Sequence, residues 1–135
     1  MCNEEMVSTM KREIETMLKR AYGFIEDAVF DFEKGRFDLA MFHLEQAAQL
    51  FIKAKLLELM GYYRRSHLLR ELLSDLSKVW KGTEISEFTK KYRRELRDME
   101  RAYVSARYVY EEFFREEVER ALKAVKELEV LLWRG

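Results

Sequence analysis

Five groups of side chains in this sequence are of types that could do chemistry. His67 follows Arg64 and Arg65 closely, at the expected first turn of a helix, where free backbone N–H groups and the helix dipole favour an anion. A neutral imidazole there could hold a phosphate or a base edge. The plainer alternative is a histidine packed at the helix start and bonded to the backbone. His43 falls on an apolar helical stripe, the usual position of a hydrogen-bonded core or interface histidine. Tyr62, Tyr63, Arg64 and Arg65 interleave rings with guanidinium groups, the composition that stacks bases and holds phosphates. Lys90, Lys91, Arg93, Arg94 and Arg97 form a second basic stretch. Both stretches have a bland alternative, a solvated face ion-paired to nearby glutamates. Lastly, Arg107 lies between Tyr103 and Tyr108 at an expected chain reversal, where it could enter a groove between helices, cap a helix or bridge subunits.

Other chemistry finds little support. No glycine-rich phosphate loop follows a strand, and one cysteine with two histidines cannot supply a four-ligand zinc site of those residues. Glutamate pairs such as Glu112 and Glu116 are expected by chance in a chain this acidic, and no serine has a matching histidine and aspartate arrangement. No cofactor, metal or catalytic set is therefore expected. With 25 basic and 25 acidic residues there is no global pull on nucleic acid, so any basic patch must be local. Cys2 has no partner, which fits a reducing compartment. With no apolar run long enough to span a membrane and no signal peptide, the expected address is the cytoplasm. Abundant charge, no proline, one asparagine and two glutamines suggest a thermophile's surface of interleaved ion pairs.

The elements that must position these groups are all helical. A chain of 135 residues is one domain, able to bury roughly 65–70% of its unfolded surface. Residues 36–61 carry two stripes, His43, Ala47, Leu50, Ala54 and Leu57, and Ala40, Leu44, Ala48 and Phe51. A helix apolar over so much of its circumference belongs in the middle of a bundle, and its alanines let neighbours approach. Glu45, Lys53, Lys55 and Glu58 are expected to keep its remaining arc wet, with Gly61 as a left-handed cap. Before it, residues 5–34 predict a long amphipathic helix ending at Gly35, with Asp38 as the next N-cap. So short a link makes the two antiparallel. After it, Ser66 is expected to cap a third helix to about Trp80, with Val79 inward. Lys81 and Gly82 break that helix, and Thr83 caps a fourth, whose stripe runs from Ile85 through Tyr92 and Met99 to Tyr110. A reversal within residues 107–115 leads to a last helix using Val118 to Leu132. Tyr22, Phe24, Phe30, Phe113, Phe114 and Trp133 are expected at the surface, kept for another chain.

The ordered set of residues resembles the HEPN domain (higher eukaryotes and prokaryotes nucleotide-binding). The resemblance rests on LEQAAQLFIKAKLLELMG at residues 44–61, the connector to His67, Leu72 and Leu73, and Ala-Arg-Tyr at residues 106–108. It implies an all-α, up-and-down bundle of four to five helices, commonly a homodimer. Small prokaryotic members often pair with a minimal nucleotidyltransferase, in two-component or toxin–antitoxin-like systems, and supply nucleotide or substrate binding. On that basis Lys53, Arg64, Arg65, His67, Arg107 and Tyr108 are the expected ligand-binding residues, with RNA as a further possible ligand. Other branches are ribonucleases and place a histidine a few residues after an arginine near the later helix junction. Here the residues after Arg107 include no histidine, and proton transfer by that route needs an imidazole. Arg36 and His43 enclose six residues, a spacing of that kind, but in a different helix. A non-catalytic binding module is thus the leading expectation, ahead of a metal-independent endoribonuclease toxin and a purely structural dimerisation module.

Overall fold

The computed structural model describes residues 4–108 and 111–134. Among the described residues there are helices and no strands. The helices are α1 (Glu4–Glu33), α2 (Phe37–Met60), α3 (Leu69–Ser77), α4 (Gly82–Lys91), α5 (Arg93–Tyr108) and α6 (Arg115–Glu129), followed by a π-helical turn, Val130–Arg134. The middle helix is α2, which packs against α1, α3, α5, α6 and the terminal turn. Its alanines Ala40, Ala47, Ala48 and Ala54 are fully buried, as are Leu44, Phe51 and Ile52. On α1 the buried residues facing it are small or pliable, Met17, Ala21 and Ala28, so the pair closes tightly.

Glycine makes the two sharpest stops. Gly35 takes φ 75° and Gly61 φ 79°, a region an L side chain enters only at a cost. After α1 the Arg36 N–H returns to the Asp31 carbonyl at 2.8 Å, closing the helix end as the chain turns into α2.

Several expected boundaries move, each for a local reason. The N-cap of α2 is Arg36, so Asp38 falls inside the first turn, where its charge still favours the helix dipole. The Ser66 hydroxyl accepts the Leu68 N–H at 3.1 Å; this turn precedes α3, whose N-cap is Leu68. Because α3 ends at Ser77, Val79 is exposed. The next N-cap is Lys81, in the left-handed region at φ 44°, and not Thr83. Gly82 opens α4 because a Cβ there would lie 2.8 Å from the Ser77 carbonyl oxygen.

The long fourth stripe is buried as expected, through Ile85, Phe88, Tyr92, Leu96 and Met99. Its helix nevertheless breaks at Tyr92, adding one helix to the expected count. The break lets α4 pack on α3 while α5 crosses α2 and α6. The reversal between α5 and α6 lies where the sequence places it, though Tyr110, the expected end of that stripe, is outside the described residues.

Three expectations about surface fail, the first at Phe24, which is half-buried against the core. Phe113 is a core residue. Trp133 is half-buried, its indole donating to the Phe51 carbonyl at 3.2 Å. Beside it the Lys55 ammonium stands 4.1 Å from the Trp133 ring and 4.8 Å from the Trp80 ring, ion-paired to Glu58 at 2.7 Å. Lys55 is therefore a buried clamp, and no part of a wet arc.

Candidate functional site

A groove of about 880 Å³ opens between α1 and α2. From α2 come Gln46, Gln49, Leu50 and Lys53, one and two turns apart on a single face. From α1 come Glu13, Thr16, Arg20, Phe24 and Asp27, and Tyr63 closes one end from the connector after α2. Gly23 sits in the α1 wall, with nothing within 4 Å of where its Cβ would stand. A glycine in mid-helix costs about 1 kcal/mol against alanine, and packing does not require this one. Its effect is to leave the wall open.

Beneath the groove lies a polar layer. Glu45, expected at the surface, is fully buried. Its carboxylate accepts from the Gln46 amide at 2.7 Å and from the Gln49 amide at close range. Burial pushes its pKa up from 4.5 to about 7; the two amides and Lys53 oppose that rise, and Glu100 of α5 adds to it. Burial likewise lowers Lys53, with Glu45 pulling the other way. The Lys53 ammonium stands 5.5 Å from the Tyr63 ring. Glu100 is itself buried and held by Arg70, with a 2.7 Å contact to one guanidinium nitrogen. The groove thus offers two cations, Lys53 and Arg20, two carboxylates on its α1 side, Glu13 and Asp27, two amides and an aromatic ring. That set can hold an anionic, planar ligand.

The expected site residues divide between places. Lys53 lies in this groove. Arg64 is exposed and its guanidinium binds Glu71 and both oxygens of Asp75, at 3.1 and 2.7 Å for the latter, so its charge is already answered within the chain. Arg65 is exposed on the connector. His67 precedes α3, outside the expected first turn, and stacks on Tyr103 of α5 with ring centres 4.5 Å apart. Arg107 and Tyr108 close α5, Arg107 one helical turn beyond Tyr103; their side chains are outside the described residues. The connector brings Tyr63 to the groove and His67 to α5, so it joins two of the expected clusters without merging them.

His43 is a half-buried, oriented histidine, its Nδ1 2.6 Å from Asp31 and its ring stacked on Phe24. Among the described residues no three histidine, cysteine, aspartate or glutamate side chains converge as a metal site, and no helix is long and apolar enough to cross a membrane. Sequence reasoning missed Gln46, Gln49 and Gly23 as groove residues. The mid-helix glycine was the available signal.

The HEPN domain family model matches residues 14–132, from the middle of α1 to the terminal turn. No curated protein matches the chain.

Proposed function

The chain belongs to the HEPN domain family, and from that premise we propose that it is a non-catalytic nucleotide- or substrate-binding partner of a minimal nucleotidyltransferase, acting as a homodimer. The observation that carries the reading is the open α1/α2 groove with Lys53, Gln46, Gln49 and Tyr63 over buried Glu45. In it Lys53 holds a phosphate, the two amides select polar edges and Tyr63 stacks a base. Arg64, Arg65, His67, Arg107 and Tyr108 form a second rim, where the ligand's far end or the partner enzyme meets the chain. Exposed Phe30, Tyr62 and Phe114 support an apolar contact with a second copy. A cytoplasmic two-component or toxin–antitoxin-like setting, in a high-temperature source, completes the proposal.

Isothermal titration with ATP, GTP and a short RNA tests it, alone and with a minimal nucleotidyltransferase. Heat with a nucleotide is expected, lost in Lys53→Met. Binding is expected to be tighter at pH 6 than at pH 8, because a protonated Glu45 removes a negative charge beneath the phosphate. No heat with any ligand, with or without the partner, overturns the proposal.

A second reading, a metal-independent endoribonuclease, draws on one observation. His67 stacks on Tyr103, one turn before Arg107, so an imidazole absent from the sequence after Arg107 comes to the same helix through the fold. Cleavage of mixed RNA that is abolished in both His67→Ala and Arg107→Ala would favour this reading. Intact RNA would remove it.

A further inference from the structure

The second basic stretch, which the α1/α2 groove leaves unused, lines a separate groove of about 720 Å³ along α5 and the α4–α5 break. Six cations border it: Lys90, Lys91, Arg93, Arg94, Arg97 and Arg101. Three carboxylates join them, and each has a partner. Glu95 pairs with Arg120 at 3.7 Å, Asp98 with Arg101 at 3.4 Å, and Glu117 accepts the Phe114 N–H at 2.8 Å. Glu95 and Asp98 are also buried beneath the rim. Lys91 and Arg101 have carboxylate partners of their own, Glu127 and Glu111. Among the described residues Lys90, Arg93, Arg94 and Arg97 have no ion-pair partner, and all four are exposed. Two of the three acids are thus buried, while four of the six cations are exposed and unpaired among the described residues. A chain of zero formal charge therefore presents one strongly positive face.

The lining also says which polyanion fits. Every residue of the groove is ionisable, with no aromatic ring and no apolar floor. A protein partner would need apolar or aromatic anchors for affinity. A nucleic-acid strand needs only neutralised phosphates. The four groove cations without a carboxylate partner, Lys90, Arg93, Arg94 and Arg97, can neutralise up to four phosphates of a strand laid along the helix. The planar guanidinium fork suits phosphate oxygens two at a time.

We propose that this groove binds the phosphate backbone of a single-stranded polynucleotide, without base selection, at a site distinct from the α1/α2 groove. The break at Tyr92 shapes the site by turning α4 away from α5, so that Lys90 and Arg93 flank the opening.

Fluorescence anisotropy with a labelled 12-nucleotide RNA of mixed sequence tests it on the full chain. Binding is expected to weaken with salt, with a log–log slope of about −2 to −3, as three or four neutralised phosphates require on a single strand. A triple variant, Arg93→Gln, Arg94→Gln and Arg97→Gln, should lose at least tenfold in affinity at low salt while keeping its helical circular dichroism, since none of the three has a structural partner. Replacing the same three by lysine should restore most of the binding. The triple glutamine variant should leave any nucleotide heat unchanged, so this site and the α1/α2 groove can fail separately. Wild-type affinity in the triple glutamine variant, no binding at 50 mM salt in the wild type, or equal displacement by polyglutamate of matched charge would each overturn the proposal.

Discussion

Replacing Glu45 by glutamine tests the polar layer beneath the groove. The carboxyl is fully buried, and its pKa rises from 4.5 to about 7, chiefly through burial. A raised carboxyl pKa means that the folded chain holds this proton more tightly than the unfolded chain. The resulting stability is complete below about pH 4.5 and is lost as pH rises through 7. At about 1.4 kcal/mol for each pH unit of separation, ionisation at alkaline pH costs the fold about 3 kcal/mol. Glutamine keeps the shape and can still accept from one neighbouring amide and donate to the other, but it cannot ionise. The variant should therefore match the wild type within ~1 kcal/mol at pH 5 and exceed it by 2–4 kcal/mol at pH 8.5. Urea unfolding of both proteins at the two pH values reads this, and other titrating groups largely cancel in the difference. A gap between the proteins that does not change with pH, or a variant weaker at pH 8.5, would refute the reasoning.

Gly23 in mid-helix and Gly82 at the start of α4 give opposite outcomes for one substitution. Gly23→Ala should stabilise by about 0.5–1 kcal/mol through helix propensity alone, because nothing stands near the new Cβ, whereas Gly23→Leu should keep the fold and fill the groove, abolishing nucleotide heat. Gly82→Ala should destabilise by about 1–3 kcal/mol, since its Cβ meets the Ser77 carbonyl oxygen at 2.8 Å; thermal melts of both alanine variants check the sign. Lys55→Met removes the ammonium held between Trp80 and Trp133 and should cost about 1–3 kcal/mol, with tryptophan emission shifting to longer wavelength as the terminal turn loosens. Light scattering should give a dimer, and a strict monomer would count against the proposed assembly.

What the sequence determined by itself is the bundle. The two-sided apolar pattern of residues 36–61 places that helix in the middle, because only a helix covered on several sides can afford so little polar arc. Gly35 and Gly61 mark where the first two helices stop because the left-handed turn needs them. The resemblance carried in residues 44–61 names a family that the comparison bears out. Periodicity also finds the residues of the fourth stripe, but it cannot find the break at Tyr92, which no glycine or proline marks and which serves contacts distant in sequence. Nor can it find the burial of Glu45 and Lys55. Both look like surface residues because a charged side chain in a helix is read against its near neighbours, whereas its burial depends on which other element crosses that arc. Glu100 reaches the Glu45 layer from α5, and Trp80 and Trp133 enclose Lys55 from two other segments. For the same reason Lys53 and His67, which the sequence puts in one binding set, stand in different clusters, one beside Tyr63 and the other on Tyr103. Local pattern decides which helices form and which face is apolar; only the packing of distant segments decides which charges are covered and which side chains share a site.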